Sequence, residues 1–365
     1  MFDLPARAAA LAPCLLENAA AIDVEGAFPT QEFRWLAEAG LLNSAIVRVP
    51  TLDLLQTLWH VGRGNLAVGR LYEGHVNALQ LINWFGTPAQ QQSYFADADG
   101  VQLFAVWNTQ SGNGIHFDAD DDGWRMSGAK TFCSGAGSVT RPIVTGEAPD
   151  GWRMTVVPTE RAQMEIDRSW WQPMGMRASA SFAVDFGGTT LNSDDLLGAA
   201  GDYYRQPAFS GGAIRFCAVQ LGGAAAIVEQ TRRFLRAVGR TDDAFQRARV
   251  GRLTMKVASG WQWLAEAARM WDALGASPLD CDETAAAQMV AFAAMMRLAT
   301  EEICLETIAL CQQSVGARGL MKTEPFERLT RDLTIYLKQP HLDEIAGRVG
   351  KWALESDARA DELWS

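Results

Sequence analysis

The pattern of apolar and polar positions divides the chain into three segments, and the first of them, 1–100, is helical. Apolar side chains recur there at the spacing of one helix face. The stretch "PTQEFRWLAEAGLL" indicates a helix that starts at Thr30 and stops at Gly40. A second apolar stripe runs over 52–61, and "HVNALQLINWFG" repeats the pattern before Gly86. The segment is therefore predicted to be a small helical domain.

The second segment, 101–200, has the pattern of a β-domain. Short alternating or β-rich runs such as "VQLFAVW", "GWRMSGAKTF" and "WRMTVVP" are separated by Gly, Asp, Asn and Pro. No helical stretch lies between these runs. The segment is therefore predicted to be an antiparallel barrel or sandwich, because a doubly wound sheet needs helices between its strands.

The third segment, 205–365, is helical again, and its helices are long. The first covers about 28 residues, or about 42 Å at about 1.5 Å per residue. Two more are expected over 246–274 and 283–315, and small residues such as Gly222 allow helices to approach closely. The whole chain is thus predicted to be an α+β protein with an N-terminal helical domain, a middle antiparallel β-domain and a C-terminal four-helix bundle.

The composition narrows the classes of partner. The 365 residues are 48% hydrophobic and carry a formal net charge of −11, which disfavours nucleic acid and anionic membranes because both bind clustered positive charge. No signal peptide and no apolar run near the length of a membrane span is evident, so a cytoplasmic location is expected. No metal site is predicted. The cysteines are scattered without a C-x-x-C pair and are expected to be buried thiols: Cys14, Cys133, Cys217, Cys281, Cys304 and Cys311.

Several stretches, in this order, resemble the acyl-CoA dehydrogenase superfamily over nearly the whole chain. They are "GHVNALQLINWFGTPAQQQSYF", "LFAVWNTQSGNG", "GWRMSGAKTFCSGAG", "WWQPMGMRASASFAVDF" and "QSVGARGLMKTEPFERLTRD". The resemblance implies an FAD-dependent oxidoreductase that acts on a small molecule.

The resemblance also implies which residues hold the flavin ring. A flavin is a flat apolar plate with a polar edge, so its site needs an aromatic wall and hydrogen-bond donors. Phe132 is expected beside the ring and Ser134 at its N5 atom, while Trp107 and Asn108 are expected at the pyrimidine edge. Asn113 takes the place of a substrate-facing serine. The alternative is that Phe132 belongs to the core and Ser134 to a turn.

The dinucleotide half of FAD is implied to lie between two subunits. Gln313 and Gly316 match the family's "Q-x-x-G-G" motif, whose second glycine is Ala317 here. This implies a homodimer or homotetramer. The family's arginine has no clear counterpart, because Arg236 and Arg240 fit the pattern equally loosely.

The position of the family's catalytic glutamate is occupied by a residue that cannot act as a base. Eight residues after Asp332 the chain has Pro340, and the other position that the family uses, before Arg215, is Ile214. Loss of a general base costs about 10²- to 10⁴-fold in rate. Ordinary dehydrogenation of an acyl-CoA is therefore placed in doubt.

Two groups of residues are candidates to replace that glutamate. His341, Asp343 and Glu344 follow the proline directly; they either turn inward on a shifted loop or open the last helix, whose N-terminal end favours acids.

His75 is the second candidate. It shares a helix face with apolar residues one turn away, so it points inward. It is either a core histidine or, as in the flavin-dependent monooxygenase branch of the superfamily, a partner of Asn108 and Ser134 around the oxygen-reacting edge of the flavin.

Three functions remain open from the sequence. The first is an FAD-dependent dehydrogenase acting on an acyl-CoA or a related CH–CH substrate, with electron-transfer flavoprotein as its partner. The second is a two-component monooxygenase that uses O₂ and reduced flavin from a flavin reductase. The third is a non-catalytic flavin-binding subunit.

Overall fold

The computed structural model describes residues 3–120, 123–275, 277–338, 342–360 and 362–363. The helices before the sheet are α1 (Leu4–Glu25), α2 (Thr30–Glu38), α3 (Thr51–Gly64), α4 (Leu66–Phe85) and α5 (Pro88–Asp99). Helix α2 begins at Thr30, as predicted, and Gly40 follows its end with φ +70°. The apolar pattern did not delimit α1, which packs along α3.

Side-chain caps explain where α4 and α5 begin. Oδ1 of Asn65 accepts hydrogen bonds from the N–H groups of Ala67 and Val68, at 2.9 and 3.2 Å, and so caps the start of α4. Thr87 and Gln90 form a capping box at the start of α5. Helix α4 is thereby held as a separate helix, and most of its residues are buried.

Within the described residues one sheet of nine strands forms the middle of the chain. The strands are β1 (Phe104–Trp107), β2 (Gln110–Asp120), β3 (Gly123–Cys133), β4 (Arg141–Ala148), β5 (Gly151–Val156), β6 (Glu165–Asp167), β7 (Phe182–Asp185), β8 (Thr190–Leu191) and β9 (Leu196–Leu197). The main path runs β6-β7-β3-β2-β4-β5-β9; β1 also pairs with β4, and β8 with β3.

The sheet is mixed, because β1 and β2 both pair parallel with β4 whereas the other pairings are antiparallel. The purely antiparallel expectation therefore needs this correction. Strands β1 and β2 are a single run of chain interrupted only by Asn108 and Thr109, so both keep the same direction relative to β4. Asn108 consequently lies at a break between two strands.

The C-terminal helices are α6 (Ala208–Ala237), α7 (Ala244–Ala273), α8 (Glu283–Gly319), α9 (Pro325–Tyr336) and α10 (Leu342–Glu355). Helix α6 packs against α3, α4, α7, α8 and α9 and is the centre of this region. Helix α8 contains one residue with non-helical backbone angles, Gly316, at φ +61°.

Glycines allow α3 and α6 to touch backbone to backbone. A Cβ on Gly62 would lie 2.4 Å from the carbonyl oxygen of Val219, and one on Gly222 would lie 2.2 Å from that of Trp59. Any side chain at either position would push the two helices apart. The small residues of α6 were predicted to allow close helix packing, and the helix that they bring close is α3 of the N-terminal segment.

The predicted fold class is confirmed: helices, a central β-domain and a helical C-terminal region follow one another along the chain. The domain boundaries near 100 and 200 stay predictions. Helix α6 is long and apolar enough to cross a membrane by length and composition, which the sequence analysis did not expect. However, 78% of its apolar window is buried in the protein, as in the core helix of a globular fold.

Candidate functional site

Phe132 forms part of an exposed aromatic surface at the end of β3. Its side chain is 50% exposed, and its backbone has φ +54°, a strained angle for a residue with a Cβ. The ring lies edge-on to Trp170, at 4.8 Å between centroids, and to Trp171, at 5.9 Å. Phe132 is therefore not a core residue, and this surface is open to a flat ligand.

Ser134 lies beside this surface, and its hydroxyl belongs to a chain of three. Ser134 is buried, and its Oγ lies 2.9 Å from Oγ of Ser181, which in turn lies 2.8 Å from Oγ of Ser179. Its N–H donates to the carbonyl oxygen of Phe132 at 2.9 Å. Ser134 is thus held by neighbours on both its backbone and its side chain.

The Trp107 side chain lies in the core of the β-domain, which limits its predicted contact with a flavin. It is 1% exposed, and its Nε1 donates to the carbonyl oxygen of Ser134 at 3.0 Å. A ligand on the protein surface cannot reach the indole ring. Trp107 instead supports the loop that carries Ser134.

Asn108, at the break between β1 and β2, has a fixed side-chain orientation. Its Oδ1 accepts a hydrogen bond from Oγ1 of Thr145 at 2.6 Å, and its Nδ2 donates to the Tyr204 hydroxyl at 3.4 Å. Tyr204 is 45% exposed. The Asn108 amide therefore has its oxygen and one N–H group in use, and its second N–H group has no partner among the hydrogen bonds of the described residues.

Lys130 bonds to the backbone of the Asn108 loop. The sequence analysis did not single out this residue. Its ammonium group is buried and donates to the carbonyl oxygen of Asn108 at 2.8 Å, to Gln110 Oε1 at 2.5 Å and to Thr145 Oγ1 at 3.2 Å. Burial lowers the pKa of Lys130 to about 7. A lysine inside the apolar strand β3 was the available signal.

His75 has the contacts of a core histidine. It is fully buried; its Nε2 lies 2.8 Å from the carbonyl oxygen of Leu42, and its Nδ1 accepts from the N–H of Phe104 at 3.2 Å. These contacts require a proton on Nε2 and none on Nδ1, and burial lowers the pKa of His75 to about 4. Both ring nitrogens are used by the backbone, so the predicted catalytic role has no support from these contacts.

The remaining predicted cofactor and substrate residues are dispersed. Asn113 is exposed at the irregular part of β2, and Gln313 is exposed on α8. Gly316 has the left-handed backbone angle that favours glycine, and a Cβ there would meet nothing within 4 Å. The structure does not bring these three residues to the Phe132 surface. A site shared between subunits stays a prediction.

The structure describes three of the five other positions discussed for a catalytic base. Ile214 is 2% exposed within α6 and is apolar. Asp343 and Glu344 are exposed in the first turn of α10, so they open the last helix, which was the second alternative. Pro340 and His341 lie outside the described residues.

A buried charge cluster between α4 and α6 was missed by sequence reasoning. Glu73 Oε2 lies 2.7 Å from Arg70 Nη1, and Glu73 Oε1 accepts from the side-chain amide of Asn77. Oδ1 of Asn77 in turn accepts from Nε of Arg215. Burial raises the pKa of Glu73, while Arg70 and Arg215 oppose the rise. The signal was a polar pair, Glu73 and Asn77, one turn apart in an otherwise apolar helix.

Known proteins share this arrangement of elements. Residues 214–341 match the family model described as "Acyl-CoA dehydrogenase, C-terminal domain". The dibenzothiophene monooxygenase of Mycolicibacterium goodii is 22% identical over 376 residues, covering 91% of this chain and 89% of that protein. A crystal structure of TdsC from Paenibacillus sp. A11-2, described as a complex with FMN and indole, matches with a TM-score of 0.89, 18% identity and 99% of both chains. This chain has the acyl-CoA dehydrogenase fold.

The predicted resemblance to the acyl-CoA dehydrogenase superfamily is thereby confirmed. Another relative is the mitochondrial short-chain specific acyl-CoA dehydrogenase of Bos taurus, 25% identical over 346 residues that cover 88% of this chain and 81% of that protein. These matches support a flavin-dependent oxidoreductase in general terms. Their low identity transfers no residue role to this acyl-CoA dehydrogenase-fold protein. Among its described residues no group of three or more His, Cys, Asp and Glu could hold a metal ion.

Proposed function

We propose that this chain is a flavin-dependent monooxygenase that receives reduced flavin from a reductase and uses O₂ to oxygenate a small organic substrate. The observation that carries the proposal is the pairing of an exposed Phe132 with the buried Ser134 hydroxyl and the oriented Asn108 amide. Dibenzothiophene monooxygenase relatives and the TdsC structure support the same choice. Neither position that the superfamily uses for a catalytic glutamate carries a carboxylate, because these positions are Ile214 and Pro340.

The residues at the Phe132 surface fit a flavin ring. The half-exposed ring of Phe132 offers a flat apolar contact with Trp170 perpendicular to it, and such exposed aromatic surface is typical of a ligand site. Asn108 supplies amide donors, and Ser134 supplies a hydroxyl, to the polar edge of a ring lying on that surface. When bound, reduced flavin supplies the electrons that activate O₂.

The protein's own contribution is orientation of donors and exclusion of water. The Ser134 hydroxyl is held by Ser181 and can donate or accept a hydrogen bond. Thr145 holds the side-chain amide of Asn108, and Lys130 holds its backbone carbonyl. Preorganised donors of this kind stabilise developing negative charge more effectively than mobile water does.

Whether the flavin is FAD or FMN decides whether Gln313 and Gly316 belong to the cofactor site. FAD, the cofactor predicted from the sequence, would use Gln313 and Gly316 to hold its dinucleotide half. FMN, which the TdsC complex contains, would not need them. We propose FMN or FAD bound in reduced form, with a flavin reductase as partner in place of electron-transfer flavoprotein. Mass spectrometry of the flavin released from the purified protein tests this choice.

Rapid mixing of the reduced flavin complex with O₂ tests the proposed function. The expected result is a transient species that absorbs in the near ultraviolet before the spectrum of oxidised flavin returns. Ser134→Ala should shorten the lifetime of that transient, whereas Ser210→Ala, on α6, should leave it unchanged. Oxidation in one featureless phase, with no effect of Ser134→Ala, would contradict the proposal.

An acyl-CoA dehydrogenase is the second candidate, and the Bos taurus relative favours it. Anaerobic addition of acyl-CoA thioesters should then bleach the bound flavin. The third alternative, a non-catalytic flavin-binding subunit, requires that neither thioesters nor O₂ change the flavin productively. A cytoplasmic location remains an expectation.

A further inference from the structure

The buried cluster between α4 and α6 has more positive than negative charge. It contains two guanidinium groups, Arg70 and Arg215, and one carboxylate, Glu73. Within the described part of the chain, the other groups that act on these arginines are Tyr203 and Tyr336, which are neutral at physiological pH. Two positive charges and one negative charge leave an excess of one. Protonation of Glu73 would raise that excess further.

Arg215 is the member of the cluster with unused donors. It is 6% exposed, and its hydrogen bond among the described residues is from Nε to Asn77. Its two terminal nitrogens therefore form a fork without a carboxylate. A guanidinium fork matches the two oxygens of a carboxylate group. Burial lowers the pKa of Arg215 to about 10, so it is still charged at pH 7.

Arg215 borders a cavity of about 380 Å³ that has aromatic walls. Trp84 and Trp271 both line it and pack against each other, with ring centroids 5.9 Å apart and planes at 39°. The Arg215 guanidinium lies 5.6 Å from the Trp84 ring. At the rim Arg48 and Asp272 are both exposed and opposite in charge, so they roughly cancel. The cavity thus combines aromatic walls with one guanidinium whose terminal nitrogens contact no carboxylate among the described residues.

A chain of contacts joins this cavity to the candidate flavin site. Arg215 bonds to Asn77, and Asn77 bonds to Glu73. Glu73 and Tyr203 are close enough to interact electrostatically, and Tyr203 packs on Tyr204, at 5.0 Å between ring centroids. Tyr204 accepts from the Asn108 amide. The Arg215 side chain is therefore linked to the Asn108 amide through protein groups alone.

We propose that this cavity binds an aromatic carboxylate, with its planar body against the aromatic wall that Trp84 and Trp271 form and its carboxylate on the fork of Arg215. The volume is within the range of about 300 to 1,000 Å³ typical of small-molecule sites. The assignment names the substrate class of the proposed monooxygenase and rests on that function for the reaction, although binding can be measured without it.

Titration of the purified protein with three probes of similar shape tests the assignment. Indole-3-carboxylate is the anion, indole the neutral probe and tryptamine the cation, and binding is followed by calorimetry without flavin turnover. The carboxylate should bind about tenfold or more tighter than indole, since a hydrogen bond to a charged group contributes about 1.5–3 kcal/mol. Tryptamine should bind weakest. Equal affinities for the three probes would overturn the proposal, even if oxygenation with another substrate were found.

Substitutions separate binding from folding. Arg215→Gln should remove the preference for the carboxylate and leave the affinity for indole within about twofold. Arg215→Lys should restore part of the preference, because it keeps the charge without the fork. Arg233→Gln, an exposed residue on the same helix, is the matched control and should change nothing. Equal loss of both ligands in Arg215→Gln would overturn the proposal; if this variant does not fold, the ranking of the three probes on the unmodified protein decides.

Discussion

The candidate flavin site and the charge cluster between α4 and α6 solve the problem of buried polar groups in opposite ways. At the candidate flavin site the groups offered to a ligand are neutral, namely the Ser134 hydroxyl and the Asn108 amide, and the buried ammonium group of Lys130 bonds to neutral oxygens. In the cluster the groups are ionic, and Glu73 is held between Arg70 and Arg215. Neutral donors are inexpensive to bury once paired, whereas a buried ion needs its counter-ion in place.

The difference teaches which substitutions should affect chemistry and which should affect folding. Removing a neutral donor at the surface of the β-domain leaves no charge unpaired, so the protein should still fold while its reaction changes. Removing Glu73 leaves two guanidinium groups together in the interior. Each prediction below tests one side of this division.

Glu73→Leu should have the largest effect on stability. It leaves Arg70 and Arg215 without their shared carboxylate, and breaking a buried ion pair costs about 3–5 kcal/mol. Urea unfolding followed by circular dichroism measures the change. Glu229→Leu, which removes an exposed carboxylate paired with Arg232 and Arg233, should cost about 0–1 kcal/mol. Similar losses in the two variants would show that the cluster is not ionic.

Ser134→Ala should lower the rate of oxygenation by about 10²-fold, the usual effect of removing one preorganised donor. The unfolding midpoint in urea should change little, since no charge is exposed or buried. Ser179→Ala, at the far end of the hydroxyl chain, should have a smaller effect on the rate. A larger effect from Ser179 than from Ser134 would mean that the ligand lies at the other end of the chain.

His75→Leu should destabilise the protein by about 1–3 kcal/mol at pH 7.5, because the N–H of Phe104 and the carbonyl of Leu42 lose their partner. The folded pKa of about 4 is below the usual 6.5. The contribution of His75 is therefore present above pH 6.5 and is lost as the pH falls through 4. Urea unfolding at pH 7.5 and 4.5 should show the difference between the two proteins narrowing.

The matched control for this prediction is His116→Leu, because His116 is exposed. Its effect should stay within about 0.5 kcal/mol at both pH values. A catalytic His75 would instead show a large loss of rate in a protein of unchanged stability.

Lys130→Met should change how the free energy of unfolding depends on pH, and this is the smallest of the expected effects. The folded pKa of Lys130, about 7, is below its usual 10.5 because the ammonium group is buried. Its contribution to stability is therefore fully present above pH 10.5 and is lost as the pH falls through 7. Between these values the free energy of unfolding of the unmodified protein should rise relative to the variant by at most about 1.4 kcal/mol per pH unit.

Urea titrations at pH 7.5, 8.5 and 9.5 measure that slope. Lys256→Met, which removes one of the two basic partners of Glu306, serves as the control. If the free energy of unfolding of the unmodified protein and of Lys130→Met changed with pH in parallel, burial would not lower the pKa of Lys130 in the folded protein.

Local signals predicted the order of helices and strands, whereas the flavin site stays a prediction. Helix α2 begins at Thr30 because of residues close to it in the chain, and a sequence pattern can report such local effects. The parallel pairing of β1 with β4 depends on strands that are distant in the chain, so the sheet was expected to be antiparallel throughout.

The contacts that the sequence analysis missed join residues far apart. Arg215 and Asn77 are separated by 138 positions, and no local pattern reports their hydrogen bond. The inward direction of His75 agrees with the sequence analysis, but the backbone groups of Leu42 and Phe104 that occupy both ring nitrogens are supplied by the fold and could not be predicted from its helix face. Trp107 shows the same effect, because its ring lies under the loop rather than on it.

The three serines of the β-domain have one further consequence. Each hydroxyl has a single proton, so Ser181 in the middle can donate to Ser134 or to Ser179 but not to both. If Ser134 donates outward, its bond to Ser181 requires Ser181 to donate to it, and the next bond then requires Ser179 to donate to Ser181. A ligand that accepts from Ser134 thereby fixes the direction of all three protons without any movement of the backbone.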